Sequence, residues 1–189
     1  MKRIFIVLLI GFFATLGFSN VESAEATLTF EEPVLITSGG QSPGALQMMV
    51  LAKTGGIEHK FIRDIEAATS NVEPFNTLII VIGASSKGLG AAGIDIDTEI
   101  ERVVELCKIA KELEKKVIIA QIEGATRRGE SSDKIADAIV GYADYLLIKI
   151  DANEDEKFTD IAKEKEIPIR LFEKTSDVRN ILKELFLEE

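Results

Sequence analysis

The chain has 189 residues, 46% of them hydrophobic, and a formal net charge of −10 at pH 7. This length is sufficient for one domain with a sizeable core. The acidic balance argues against nucleic acid and anionic membrane surfaces as partners, because both require a basic face on the protein.

The start of the chain has the pattern of a secretory signal peptide over residues 1–26. A basic start, Met1–Arg3, precedes the apolar run Ile4–Phe18 and a small-x-small cleavage site that ends at Ala26. The apolar run is shorter than the about 20 residues that span a membrane, although an uncleaved anchor remains an alternative. We expect cleavage after Ala26, or otherwise after Ser23. The mature chain, 27–189, is then a single α/β domain, periplasmic or secreted from a bacterium, with no stable membrane insertion.

After this leader, strand and helix patterns alternate along the chain. Continuous apolar runs predict strands buried on both faces, and one more polar run predicts an edge strand. The predicted strands are Val34–Thr37, the edge strand Ile57–Arg63, Leu78–Ile82, Val117–Ile122, Tyr145–Ile150 and Pro168–Phe172. This alternation predicts an α/β fold, a three-layer doubly wound parallel sheet of about six strands. A flavodoxin-like strand order, 2-1-3-4-5 with a sixth strand added, places strands 1 and 3 side by side.

Capping residues and apolar spacing mark the predicted helices. The first helix is expected to start at Ser42, with Pro43 in the first helical position. The later helix starts are expected at Asp97 or Thr98, at Ser131 or Ser132, at Asn153 and at Ser176. A short helical turn is expected between Ile65 and Asn76, anchored by Val72 and Phe75. Thr98 and Glu101 have the spacing of a capping box, and Asp95 and Asp97 are further expected caps of the same helix. The first helix is expected to end at Gly55–Gly56 and carries apolar residues at helical spacing, namely Leu46, Met49 and Val50.

Three glycine-containing loops follow predicted strands 1, 3 and 4. They are Ser38–Gly44, Gly83–Gly93 and Glu123–Glu130. In an open parallel sheet, ligands bind beyond the carboxyl ends of the strands, where the strand order reverses. Glycines allow close backbone approach, amides at a helix start can hold an anion, and arginine suits bidentate capture of carboxylate or phosphate. The loops are therefore expected to line one crevice that binds a small anionic molecule.

The expected ligand-binding residues come from all three loops and are Ser38, Gly39, Gly40, Gln41, Ser42, Ser85, Ser86, Lys87, Gly88, Arg127 and Arg128. Lys87, Arg127 and Arg128 are expected to supply the positive charge of the crevice. Two alternatives stay open. The glycine loops are tight strand-to-helix turns, or the arginines pair with Glu123 or Glu130 in a solvated loop.

The first two loops have partial resemblances to cofactor-binding motifs. Thr37–Ser42 resembles the phosphate loop of flavodoxins, but the chain has no tryptophan and both tyrosines lie in other elements, so a stacking partner for a flavin is missing. Gly83–Gly90 looks like the glycine fingerprint of short-chain dehydrogenases, although it is one residue too long. Tyr145 and Lys149 have the catalytic spacing of those enzymes, but in a strand this spacing covers about 13 Å, compared with about 6 Å in a helix. The cofactor stays unassigned.

Other catalytic chemistry has little support in the sequence. The single histidine, His59, lies in the predicted edge strand with no cysteine nearby, so no metal site is predicted. A serine triad has no base unless His59 supplies it from that edge. The single cysteine, Cys107, falls on the apolar stripe of a helix and is expected to be a buried thiol without a disulfide partner. No catalytic residue is assigned.

Three segments together resemble a known family. They are Glu32–Pro43, Gly83–Gly93 and Gly124–Gly129. They are similar to an uncharacterised family of exported bacterial proteins, domain of unknown function 6305, and the resemblance extends over nearly the whole mature chain. It implies an exported α/β domain, and it brings no activity, ligand or catalytic residue with it.

The sequence leaves three functions open. The first is an extracytoplasmic module that binds a small anion at the three loops. The second is an enzyme of unassigned class that uses the same crevice. The third is a protein-interaction domain whose glycine loops are purely structural, with protein partners that the sequence does not identify.

Overall fold

A computed structural model describes residues 28–186, so the predicted signal peptide, 1–26, lies outside the described residues. The strands are β1 Val34–Gly39, β2 His59–Phe61, β3 Thr77–Ile82, β4 Lys116–Gln121, β5 Tyr145–Lys149 and β6 Ile169–Phe172. They form one parallel sheet in the order β2-β1-β3-β4-β5-β6. The predicted α/β class, the strand order and the polar edge strand are confirmed.

Helices connect successive strands of this sheet, and a last helix follows β6. They are α1 Gly44–Gly55, α2 Thr69–Val72, α3 Ser86–Ala92, α4 Ile96–Glu112, α5 Glu130–Ile139, α6 Lys157–Glu164 and α7 Val178–Phe186, with short 3-10 turns at Gly124–Arg127, Val140–Tyr142, Ile150–Asn153 and Thr175–Asp177. Within the described part of the chain, no helix combines the length and the apolar character needed to cross a membrane.

The helices cover both faces of the sheet, and this arrangement makes three layers. One core lies between the sheet and α1 with α7, and the other lies between the sheet and α2, α4, α5 and α6. Neighbouring strand residues point to opposite cores, as Ile79 and Ile80 of β3 do. Because both faces are covered, the central strands are apolar throughout rather than alternating. Each fully buried Ile or Leu contributes about 1.5–3 kcal/mol of hydrophobic stabilisation.

Helix α1 buries small residues, and this differs from the apolar spacing in the sequence. Its buried residues are Gly44, Ala45, Met48, Ala52 and Gly55. Leu46 is 41% exposed and Val50 is 49% exposed, so the spacing of Leu46, Met49 and Val50 does not mark the buried face. The reason is close packing, because a Cβ at Gly44 would lie 2.5 Å from Oε2 of Glu123.

One helix start differs from its predicted position, and one helix was not predicted at all. Helix α4 begins at Ile96, where the carboxylate of Asp95 accepts a hydrogen bond from Thr98 N at 2.8 Å, so the predicted capping box from Thr98 is wrong. Helix α3 was not predicted, because glycine is a poor helix former. It forms because Ser85 Oγ accepts a hydrogen bond from Gly88 N at 3.1 Å.

Later helices also start away from the predicted caps. Helix α5 follows Gly129 without a side-chain cap, and Ser132 Oγ instead accepts a hydrogen bond from Ala84 N at 2.9 Å. Asn153 lies in a 3-10 turn before α6, where its Oδ1 accepts a hydrogen bond from Phe158 N at 2.9 Å. A 3-10 turn, Thr175–Asp177, likewise precedes α7, so Ser176 is not its cap. Local sequence identifies these helices better than it identifies their first residues.

The thiol of Cys107 is fully buried in the core beneath α4, as the sequence predicted. Burial raises the pKa of Cys107 to about 12, because the low-polarity core disfavours the thiolate. Since the thiolate is the reactive form, we expect a thiol reagent to leave the native protein unmodified at pH 8 and to label it stoichiometrically in denaturant. Mass spectrometry measures the label. Labelling at equal rates in both states would contradict a buried thiol.

Candidate functional site

The loops after β1, β3 and β4 meet at the carboxyl-terminal edge of the sheet. Gln41 and Ala84 form an isolated antiparallel bridge between the first two loops. Ser85 N donates to Gly40 O at 2.8 Å, and Gly83 N donates to Gly39 O at 2.9 Å. The third loop reaches the same place through the carboxylate of Glu123, which would lie 2.8 Å from a Cβ at Gly83. The three loops therefore converge where the strand order reverses.

Two glycines of these loops are required by the contact between the loops. Gly40 has φ +116°, and a Cβ there would lie 2.5 Å from Gly83 O. A Cβ at Gly88 would overlap with Gln41 O, so α3 sits directly on the backbone of the first loop. These glycines allow the backbones of the two loops to pack together. This is the structural role that the sequence offered as an alternative to ligand binding.

Backbone amides in the loops are largely engaged by protein groups. Gly40 N donates to Glu99 Oε1 at 2.8 Å. Ala84 N donates to Ser132 Oγ, and Gly88 N donates to Ser85 Oγ. These three amides are therefore not free to wrap an anion.

A buried ion pair from α4 holds the first loop in place. Glu99 is fully buried, and its Oε1 accepts hydrogen bonds from Gly40 N, from Gln41 Nε2 at 3.1 Å and from Arg102 at 2.8 Å. Arg102 also donates to Ser38 O at 2.6 Å. This pair was not predicted from the sequence, where its only signal is the (i, i+3) spacing of opposite charges on α4.

A second chain of polar contacts joins the first loop to the third. Ser42 is fully buried, and its Oγ donates a hydrogen bond to Glu123 Oε2. The other carboxylate oxygen of Glu123 accepts from Arg127 Nε at 3.2 Å. The side chain of Arg127 is 33% exposed. Within residues 28–186, its two terminal nitrogens make no hydrogen bond.

Arg128 differs from its neighbour Arg127 because all three of its guanidinium nitrogens have hydrogen-bond partners. Its guanidinium donates to Asp133 at 2.8 Å and 3.2 Å, to Asp155 at 2.9 Å and 2.7 Å, and to the carbonyl of Ala152. It also lies 5.4 Å from the ring centroid of Phe158. The hydrogen bond from Arg128 lowers the pKa of Asp155 to about 2. Arg128 thus ties the third loop to the turn before α6.

The other predicted site residues divide into exposed and buried groups. Ser86 and Lys87 are exposed on α3, and Lys87 forms no ion pair with another described residue. Ser38, Gly39, Gly40 and Gln41 are buried. Ser38 Oγ has no hydrogen-bond partner in the described chain. The structure therefore brings all the predicted loops together, but it exposes only part of their side chains.

Lys149 and Asp151 extend this edge beyond the predicted residues. Lys149 ends β5 and Asp151 follows it, and Lys149 Nζ donates to Asp151 Oδ2 at 2.7 Å. The Asp151 carboxylate lies against Gly124, where a Cβ atom would overlap with it. The φ of +75° at this position also favours glycine. Lys149 and Tyr145 lie in β5, in agreement with the predicted strand.

His59 lies at the opposite end of the sheet from the three loops. It pairs with Val34 at the start of β1, so it cannot reach Ser42 as a catalytic base. Among residues 28–186, no group of three His, Cys, Asp or Glu side chains is placed to hold a metal ion.

Comparisons with known proteins place the chain in one sequence family. The model of the family described as "Domain of unknown function (DUF6305)" matches residues 31–186. None of the curated proteins matches the sequence. Among solved structures, a GDSL-like lipase from Bacteroides thetaiotaomicron is similar with 15% identity and a TM-score of 0.36, over 73% of this chain and 66% of that protein. A psychrotrophic esterase from Pseudoalteromonas is similar with 9% identity and a TM-score of 0.33, over 81% and 94% of the two chains.

Proposed function

The chain belongs to the DUF6305 family, and we propose that it is a binding domain that holds a small anionic molecule at the carboxyl-terminal edge of its sheet. Arg127 is the principal cation of this site, and Lys87 with the hydroxyl groups of Ser85 and Ser86 completes it. The observation that carries the proposal is the guanidinium of Arg127, whose terminal nitrogens have no partner in the described chain.

The contrast with the two other arginines at this edge supports this role. Arg102 donates from all its guanidinium nitrogens, to Glu99, Ser38 O and Ile65 O. Arg128 is likewise saturated by two carboxylates and a carbonyl. Arg127 uses only Nε, in its contact with Glu123. Of the two adjacent arginines, Arg127 is therefore the one available to a ligand.

The chemistry of this group favours a carboxylate or a phosphate. The two terminal nitrogens of a guanidinium form a fork that matches two oxygens of such a group. Glu123 orients the fork from the Nε side while it leaves the terminal nitrogens free. In a chain with a net charge of −10, an exposed and unpaired Lys87 on the neighbouring loop adds the positive charge that an anion requires.

Replacing Arg127 with methionine is expected to weaken anion binding by about tenfold or more, since a charge-assisted hydrogen bond is worth about 1.5–3 kcal/mol. Isothermal calorimetry of the protein with phosphate, acetate, citrate and nucleoside phosphates, at two salt concentrations, measures the effect. Arg170→Met is the matched control, because Arg170 is an exposed arginine of β6 with one long contact of 3.6 Å to Glu184. Equal affinity of all three proteins would contradict the proposal and favour an interaction domain with structural loops.

An enzyme that uses the same crevice is the second candidate. The observation that favours it is the hydrogen bond from Ser42 Oγ to the Glu123 carboxylate. In this arrangement a carboxylate is positioned to act as the general base for a serine hydroxyl. Conversion of a bound ligand in the calorimetric samples, seen as a new species by mass spectrometry, would favour this function. Saturable binding without conversion would favour the binding domain.

We also propose that the protein acts in the periplasm or outside the cell, as its leader sequence suggests. Expressed with its leader, it is expected to appear in the periplasmic fraction without residues 1–26. Intact-mass measurement of that fraction locates the first residue. A periplasmic product that retains Met1 would contradict cleavage and favour an anchored protein.

A further inference from the structure

A polar cavity of about 310 Å³ lies at the amino-terminal edge of the sheet, away from the three loops. It is bounded by the segment before β1, by the residue before β3 and by the turn between α4 and β4. The lining residues that matter here are Thr29, Glu31, Asn76, Glu114, Lys115 and Lys116. Its volume is at the lower end of the range of about 300–1,000 Å³ that is usual for small-molecule sites.

Lys115 is the central feature of this cavity. Its side chain is partly buried, and its ammonium contacts Asn76 Oδ1 at the long distance of 3.5 Å. Within the described chain, Lys115 has no carboxylate partner, and Lys116 has only a contact of 3.7 Å to Asp144. Lys115 is therefore available to pair with the carboxylate of a ligand.

The cavity also presents carboxylates. Glu31 and Glu114 are exposed at its rim, and neither forms an ion pair with any residue between 28 and 186. A simple anion would be repelled by these two groups, and a simple cation would be repelled by the lysines. A ligand that carries one negative and one positive group can pair with the lysines and with the glutamates at the same time.

The wall of the cavity is fixed by hydrogen bonds from ordered strands. Thr77 Oγ1 donates to Glu31 O at 2.8 Å, and Asn76 Nδ2 donates to Glu32 O at 2.6 Å. Lys116 N donates to Asn76 O at 3.2 Å. The backbone of this wall and the Asn76 amide are therefore held in place before a ligand arrives, which reduces the entropy cost of binding.

We propose that this cavity binds a free amino acid, whose carboxylate pairs with Lys115 and whose ammonium pairs with the Glu31 and Glu114 side of the cavity. This site is independent of the anion site at the other edge, since a strand of six residues such as β3 separates the two edges by about 20 Å.

The test is a titration of the protein with glycine, alanine, glutamate and lysine, followed by backbone amide chemical shifts. We expect saturable shifts at Asn76 and Lys115 with the amino acids. At these two residues we expect no saturable shifts with acetate or methylamine, which each carry only one of the two charges. Shifts at other residues alone, or no saturable response to any of the amino acids, would overturn the proposal. This measurement needs no variant, so it holds even if a substitution impairs folding.

Variants then separate the two edges. Lys115→Met is expected to weaken amino-acid binding by about tenfold or more. Lys108→Met is the matched control, because Lys108 is an exposed lysine of α4 whose contact is a 3.5 Å pair with Glu105. Binding is followed at Asn76 and Lys115 in each case, because a carboxylate that binds Arg127 lies at the other edge. Undiminished binding by Lys115→Met would overturn the proposal and leave the anion site at the other edge untouched.

Discussion

Replacement of Glu99 with alanine is expected to destabilise the protein by about 3–5 kcal/mol, the usual cost of removing one member of a buried ion pair. Glu99 is fully buried and Arg102 is 13% exposed on its side chain, so solvent does not replace the lost partner. The change also leaves Gly40 N and Gln41 Nε2 without their acceptor. Urea denaturation at pH 7 measures the free energy of unfolding.

Glu105→Ala is the matched control for Glu99→Ala. Glu105 belongs to the same helix and has the same (i, i+3) pairing, with Lys108, but both side chains are about half exposed. An exposed pair of this kind contributes about 0–1 kcal/mol, so the control should unfold close to the wild type. A double variant, Glu99→Met with Arg102→Met, should recover part of the loss because no unpaired charge remains. Equal stability of Glu99→Ala and Glu105→Ala would show that the pair does not hold the loop.

Replacement of Arg128 with alanine is expected to cost about 2–3 kcal/mol, because hydrogen bonds to charged groups contribute about 1.5–3 kcal/mol and part of this network is screened by solvent. The lost contacts link the third loop to Asp133, Asp155 and Ala152 O. Arg127→Ala is the control at the adjacent position and should cost less than about 1 kcal/mol. Equal stability of the two variants would show that the extra contacts of Arg128 do not contribute to the free energy of unfolding.

The contribution of Arg128 should also depend on pH. Arg128 lowers the pKa of Asp155 in the folded protein to about 2, while the pKa of an aspartate in the unfolded chain is about 3.8. Because the folded pKa is the lower one, the stabilisation is fully present above about pH 4 and is lost as the pH falls towards 2. The difference in unfolding free energy between the wild type and Arg128→Ala should therefore shrink across this window. A constant difference from pH 6 to pH 2 would contradict the linkage.

The sequence by itself determined the fold class and the strand order. Strands that are covered on both faces consist of consecutive apolar residues, as in Leu78–Ile82, and these runs are visible without coordinates. The alternation with helices then requires a parallel sheet. The burial of Cys107 and the edge position of His59 followed from the same local patterns. Properties that depend on neighbouring residues along the chain were therefore predictable.

The tertiary structure decided which face of α1 is buried. Hydrophobicity alone favours Leu46 and Val50, but small residues on the other side of the helix let it approach the sheet closely. The buried face depends on the space that Glu123 leaves beside Gly44, and Glu123 belongs to a distant loop. Close packing of this kind is a property of two surfaces, so one segment does not reveal it.

The roles of the polar loop residues were also decided by tertiary structure. Gly40 N meets Glu99 across 59 positions of the chain, and Ser42 meets Glu123 across 81 positions. The sequence placed the three loops at one edge, but it could not assign Arg127 and Arg128 to different partners. Those partners lie on separate elements, and each buried polar group takes whichever complementary group the fold brings within about 3 Å. Which side chains remain free for a ligand is thus a result of the whole fold.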